Sequence, residues 1–416
     1  MTDGTLHLFD AVGVEVEYMI VDVTTLDVLP VCDRLMQAAA GEPASEIERG
    51  PIAWSNELVL HVLELKTNGP ARELAPLPSS FAEAVSEANG FARNVGGRLM
   101  PTAMHPFMDP ERETRLWPHE YGEVYRTFDR IFGCRGHGWS NLQSMHINLP
   151  FAGDDEFGRL HAAVRVVLPL LPALAASSPF VAGKKSGYAD SRLVYYADNC
   201  RRLPMVTGNV IPEPCFTKAD YEARILSPIA AAIAPFDADG VLDPIWVNAR
   251  GAIARFDRGS IEIRVLDTQE CPLADLALVA VVVALVRGLV EERWSAGSAQ
   301  RAFGESRLRQ QFEQAVKRGG DAPVTDAGYL DLFGLRPLSG QHARATWSEL
   351  IRRLDGARLL PSGFDGVFET WARAGNLSRR ILAALPAEPA RADVLNVYRG
   401  LSECLENGVL FEREAP

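Results

Sequence analysis

Two glutamates stand one residue apart in the segment 12–22, VGVEVEYMIVD. In an extended strand every second side chain points the same way, so Glu15 and Glu17 share a face. Adjacent like charges are unfavourable unless water or a cation compensates them. One such pair reads simply as a solvated sheet face, but the pattern recurs. Glu57 and Glu64 bracket a second β-rich run, 57–67 (ELVLHVLELKT). A separation of seven residues puts them on opposite faces of an unbroken strand, so both serve one site only if a bend or bulge intervenes. His146 and Asn148 share a face of QSMHINL, and Glu262 and Arg264 share a face of SIEIRVL, beside a hairpin that also offers Asn248 and Arg250. A lone strand histidine is ordinarily structural, and a lone Glu/Arg pair is ordinarily a salt bridge. Together, five glutamates and one histidine on four strand segments suit a hard cation, Mg²⁺ or Mn²⁺. Mg²⁺ in such places is typically shared with substrate phosphates.

Sites for other chemistries are missing. The six cysteines are scattered, with no CxxC pair. HEYGE at 119–123 has Glu123 where a zincin helix needs its second histidine, and no GxSxG elbow surrounds any serine. Gly183-Lys184 is the nearest approach to a Walker A loop, but Ser178 stands where its first glycine should be. Any use of ATP therefore falls to a sheet with carboxylate-held metals. Among the remaining candidates, His61 reads as a wall residue and His105 as a turn or mouth residue. Trp117, Trp139 and Trp246 read as core or rim aromatics, and Lys184 and Lys185 as a solvated loop.

The elements that must position these residues follow from periodicity. Strands are expected at 12–22, 57–67, 98–104 and 143–151, with a hairpin around Asp257-Arg258-Gly259. Ser80 followed by Glu83 has the form of a capping box opening a helix to about Asn94. Further helices are expected at 121–132, 155–176, 219–233 and 273–294. No regular βαβ series appears, which favours an α+β fold with a largely antiparallel sheet. Residues 1–296 are expected to form one catalytic α+β body, and 297–416 a helical extension packed on it.

The 416 residues carry a formal charge of −12, which argues against nucleic acid or an anionic membrane as the partner. The most apolar stretch, 276–286, is too short to span a bilayer and is expected to be a core helix. Reduced thiols and an acidic N-terminal segment point to the cytoplasm. Self-association is left open.

At the level of motifs the chain resembles the glutamate–cysteine ligases and carboxylate–amine ligases of the second bacterial type. The matching stretches are GVEVEYM, ELVLHVLELKT, LMPTAMHPF, SMHINLPF, SSPFVAGKKSGYADSR and GSIEIRVLDTQ, in that order, over the first two-thirds of the chain. The resemblance implies a glutamine-synthetase-like fold, in which a curved antiparallel sheet flanked by helices forms a funnel for ATP and metal ions. It places Glu15, Glu17, Glu57, Glu64, His146 and Glu262 at the metals, and Arg264, with Glu262, at the phosphoryl group in transfer. Tyr188 and Arg192, and Asn148 on the sheet, would contact the amino-acid substrate or phosphate. The reaction the resemblance implies activates a carboxylate, glutamate being the first candidate, as an acyl phosphate that an amine such as cysteine attacks, a step of glutathione biosynthesis. Alternatives are a metal-dependent amide hydrolase and a non-catalytic nucleotide-binding relative. The chain departs from the family in carrying MHINLPF where many members have a His-x-His-Val-Gly strand, and in its LWPHEYGEVY segment.

Overall fold

A computed structural model describes residues 4–337 and 340–412. Its centre is an eight-stranded sheet built from β1 (Gly13–Asp22), β2 (Glu46–Arg49), β3 (Ile52–Asn56), β4 (Val62–Thr67), β5 (Gly97–Met100) and β6 (Ser144–Pro150). A short ribbon of β7 (Phe180–Val181) and β8 (Lys184–Lys185) stands apart, and β9 (Ala252–Arg255) and β10 (Ser260–Asp267) complete the sheet. The order is β2-β3-β4-β1-β6-β10-β9, and every pairing is antiparallel. β1 is the keel. One edge pairs with β4, while the other is divided between β6, along residues 13–16, and β5, along residues 19–22.

Alternation gives the sheet its two faces. Val14, Val16, Tyr18, Leu63, Leu65, Trp54, Ile147, Leu149, Ile261 and Ile263 are buried in one large core. Helices Leu77–Asn94, Gly153–Val167 and Pro272–Val290 belong to the same core. Burying each such aliphatic side chain contributes roughly 1.5–3 kcal/mol. The Pro272–Val290 helix has the length and apolarity of a membrane span, but most of it is enclosed by the protein, as expected of a core helix. A second core joins Met19, Val21 and Met100 to Leu377, Ile381, Val397 and Leu401, so the C-terminal helices close over the β5 end of the keel.

The structure corrects several expected boundaries. The run 57–67 is not one strand: β3 ends at Asn56, residues 57–61 turn, and β4 begins at Val62. The backbone N–H of Leu60 donates to Arg115 and that of Cys32 to Leu60, which ties the middle of the turn to segments outside the sheet, while its last residue, His61, accepts from Ile20 of β1. The helix expected from Ser80 starts at Leu77, because Pro78 fits a first turn where its missing N–H costs nothing. The hydroxyls of Ser79 and Ser80 bond back to the Pro76 carbonyl instead of capping. The strand 98–104 stops at Met100, and Thr102 adopts a left-handed φ of 79°.

β10 carries a bulge. Ile263 pairs with Ile147 but Leu266 pairs with Met145, so Arg264 and Val265 together oppose His146. The displaced Val265 leaves no room beside it: a β-carbon on Gly251 would come within 2.6 Å of its side chain.

Candidate active site

The face of the sheet opposite the core is acidic. Register places Glu17 against Glu64, Glu15 against His146 on one side and Lys66 on the other, and Glu262 against Asn148. This face floors two adjoining cavities of about 540 and 610 Å³, within the size range of small-molecule sites. Both are lined by Glu57, Glu64, His146, Arg255, Glu262 and Arg264. Glu57 is brought to the floor by the turn after β3, the break that its spacing from Glu64 requires.

His146 is the hub. Its Nδ1 lies 2.9 Å from Glu15 Oε2 and 3.9 Å from Glu262 Oε1, and its Nε2 lies 3.0 Å from Ser144 Oγ. Ser144 passes the connection on, its backbone N–H donating to Glu17 at 2.8 Å and its hydroxyl at 3.2 Å. Asn148 Nδ2 donates to Glu15 Oε1 at 3.0 Å, and Ser55 Oγ donates to Glu64 Oε1 at 2.6 Å. Arg264 Nε sits 2.8 Å from Glu262 Oε1, with one terminal nitrogen donating to the Asn248 carbonyl.

Charge and burial divide the acids. Burial alone would raise Glu15, but the hydrogen bond and charge of His146, with Lys66 and Arg264, bring it down to about 2. Glu64 is pushed up to about 7 by burial and by Glu15. Burial and the negative charges of Glu64, Glu17 and Glu15 raise Glu57 well above the carboxylate range. Burial would depress His146, but Glu15 reverses the direction and holds it protonated above its ordinary range. The floor thus has more buried acid than the protein's own cations neutralise. That is the electrostatic condition for a bound metal.

The geometry agrees. Donor atoms of Glu15, His146 and Glu262 lie within 4.8 Å of one another, and so do those of Glu17, Glu64 and His146. Carboxylate oxygens with a single imidazole fit a hard divalent cation. Glu57 belongs to neither triple but faces the same cavities.

Other candidates divide. Arg192 reaches the wall, fully buried, with its Nε 2.5 Å from Asp267 Oδ1. Tyr188 does not reach the funnel: it is exposed on a separate cavity beside the C-terminal helices, after a turn through Gly187 at φ 82°. Arg250 is spent on a bidentate pair with Glu213, both contacts 2.6 Å. His61 bonds the Ser140 carbonyl and His105 the Leu26 carbonyl, as packing and turn residues do. Trp117 is core, whereas Trp139 lines the funnel and Trp246 is exposed at its rim. Sequence reasoning missed Lys66, Ser144 and Arg255. The first two were visible by alternation, two residues from Glu64 and His146. Tyr125, Phe128 and Trp139 add an aromatic wall to one cavity, Phe128 and Trp139 with centroids 5.5 Å apart and the Tyr125 hydroxyl accepting from Asn56 beside Glu57.

The profile of glutamate–cysteine ligase family 2 matches residues 11–328. The chain belongs to this family. A protein of uncharacterised function from Archaeoglobus fulgidus is 31% identical over 400 residues, covering 96% of this chain and 100% of its own. A Sorangium cellulosum protein assigned by name to glutamate–cysteine ligase 2 is 26% identical over 347 residues, 82% of this chain and 84% of that one. Among solved structures, the glutamate–cysteine ligase of Francisella tularensis in complex with AMP aligns with a TM-score of 0.58 at 12% identity, over 99% of this chain and 91% of that one. A bifunctional glutathione synthetase from Pasteurella multocida aligns with a TM-score of 0.60, also at 12% identity, over 96% of this chain and 53% of that one. At that identity the two structures establish the fold alone: an antiparallel sheet flanked by helices. Family membership makes this an enzyme of the glutamate–cysteine-ligase-like, ATP-dependent type.

Proposed function

We propose that the protein is an ATP- and Mg²⁺-dependent carboxylate–amine ligase, with the γ-carboxylate of glutamate as acid and cysteine as first candidate for the amine. The observation that carries this is the pair of three-residue donor groups sharing His146, with Arg264 beside them. Glu15, Glu17, Glu64, His146 and Glu262 would hold the cations, with Glu57 facing them. Bound Mg²⁺ would neutralise phosphate oxygens and screen the repulsion between nucleotide and carboxylate.

The protein's part is positioning and electrostatics. Carboxylate attack on the γ-phosphorus of ATP forms the acyl–O–P bond and breaks the bond to ADP. Amine attack on the acyl carbon then forms the amide and releases phosphate. Arg264, on the cavity lining beside the donor groups, would stabilise the charge that accumulates on the phosphoryl group in transfer. Glu262 orients that guanidinium, and Asn148 and Ser144 orient Glu15 and Glu17. Arg192, held by Asp267, contributes a buried positive charge to the wall where an anionic substrate group would lie. The free cysteines suit a reducing cytoplasm, where such a reaction would run.

The test is ADP release with ATP, Mg²⁺ and glutamate across a panel of amino acids and amines, followed by mass determination of the product. ADP formed only when acid, amine and ATP are all present supports the ligase. Metal-dependent hydrolysis without nucleotide, or ATP binding without turnover across the panel, overturns it.

A further inference from the structure

The motif segment that carries Tyr188 points to a second site. Two cavities of about 260 and 320 Å³ meet between residues 185–189 and the C-terminal helices, sharing Gly320, Arg344, Gly375 and Asn376. The first is largely apolar, walled by Leu174, Trp347, Ile351, Phe368 and Trp371, with the carboxylates Asp355, Asp365 and Glu369 also on its lining. The second carries Lys185, Lys317, Arg318, Arg344 and Arg379 against a single acid, Asp321. Asp321 is engaged by Arg379, at 2.9 and 3.0 Å. Lys185 Nζ donates to the carbonyls of Pro386 and Ala387, which leaves its charge uncompensated. The side chains of Lys317, Arg318 and Arg344 make no ion pair or hydrogen bond among the described residues.

This arrangement runs against the rest of the chain. The protein is acidic overall, and many of its arginines are paired with carboxylates. In the second cavity uncompensated cations are gathered around one concavity, where low-dielectric walls focus their field, and the acids of the first cavity favour an orientation that keeps a ligand's anion out of it. Arginine's fork matches phosphate oxygens, and lysine adds a point charge. Arg344 stands where the basic and apolar chambers join, so a ligand that satisfied both would carry its anion next to a flat or branched apolar body.

We propose that the paired cavities bind a small amphiphilic anion, a phosphate monoester with an aromatic or branched aliphatic body. The phosphate lies among Lys317, Arg318 and Arg344, and the body lies against Trp347, Phe368 and Trp371. The site is distinct from the funnel, and the inference does not depend on the ligase reading.

Phenyl phosphate is the probe, titrated into the full-length protein by calorimetry and followed by the fluorescence of Trp347 and Trp371. It should bind at least about ten-fold more tightly than inorganic phosphate, which lacks the body, or benzyl alcohol, which lacks the anion. Combined Lys317→Ala, Arg318→Ala and Arg344→Ala substitution should weaken it by roughly ten-fold or more, with funnel activity unchanged. Arg344→Glu alone provides a second variant with the same expected direction. Binding should also weaken with added salt. The proposal fails if phenyl phosphate does not bind at millimolar concentration, or if inorganic phosphate binds equally well. It also fails if the basic-cavity variants bind like the parent while Glu262→Gln abolishes binding, which would place the probe in the funnel.

Discussion

Val14, Val16 and Tyr18 on one side of β1 and Glu15 and Glu17 on the other belong to the same ten-residue strand. On the first side each side chain is enclosed by helices and stabilises the fold by leaving water. On the second, acids are held close together, and the intrinsic result is repulsion that a cation must offset. Along residues 14–18 of β1, stability and function are thus assigned to opposite faces, the acidic face giving way to the second core only from Met19 onward. The arrangement teaches that the two can be damaged separately.

The largest separation is expected from Glu262→Gln, which should lower Mg²⁺-dependent ADP release by at least about 100-fold while circular dichroism stays that of the parent. Normal turnover would show that the cation site lies elsewhere. On the other face, Leu149→Ala removes a fully buried side chain and should cost about 2–5 kcal/mol in denaturant unfolding. The molecules that remain folded should turn over normally; a matching loss of turnover would merge the two faces. Arg264→Lys comes next, retaining charge but losing the planar fork, with an expected loss of roughly ten-fold or more in turnover and little change in unfolding.

The smallest effect is a pH dependence in the metal-free protein. Glu64 titrates near 7 when folded against an ordinary value of 4.5, so between these values the folded chain binds the extra proton. Stability must therefore fall as pH rises through that window. His146, raised by Glu15, contributes in the same direction, whereas Glu15 itself, about 2 when folded against an ordinary 4.5, is ionised in both states at neutral pH and adds no slope there. The metal-free protein should melt on the order of 2 °C lower at pH 8 than at pH 6, and Mg²⁺ should remove the difference. A melting temperature that rises over this range would mean that the acids are already compensated within the protein.

Much of this division was legible before any coordinates. Alternation alone put Glu15 with Glu17, His146 with Asn148 and Glu262 with Arg264, because strand geometry forces period two. Glu57 was legible only as a condition, the need for a break before Glu64. The turn that supplies it is anchored by Arg115 and Cys32, which are remote in sequence. Tyr188 was misplaced for a related reason. Residues 189 and 190 hydrogen-bond to Lys317 and Val316, so the loop's direction is set by a helix more than a hundred residues later. The aromatic wall was equally hidden: Tyr125 and Phe128 announced an amphipathic helix, and which cavity that helix would face is a tertiary fact.

The extra residue in β10 governs what kinds of change this strand can absorb over evolutionary time. Glu262 and Asp267 are five positions apart, an odd interval, yet Glu262 faces the acidic floor and Asp267 pairs with Arg192 beside Ser144. Val265 makes that parity possible. Exchanging one side chain for another alters a single contact. Losing one residue at the bulge would leave Arg264 alone opposite His146 and keep Asp267 opposite Ser144, so Arg192 would retain its counter-ion. Gaining one more would have to widen the bulge or invert every position beyond it, turning Asp267 into the hydrocarbon core. Along this stretch the lineage can shorten more readily than it can lengthen.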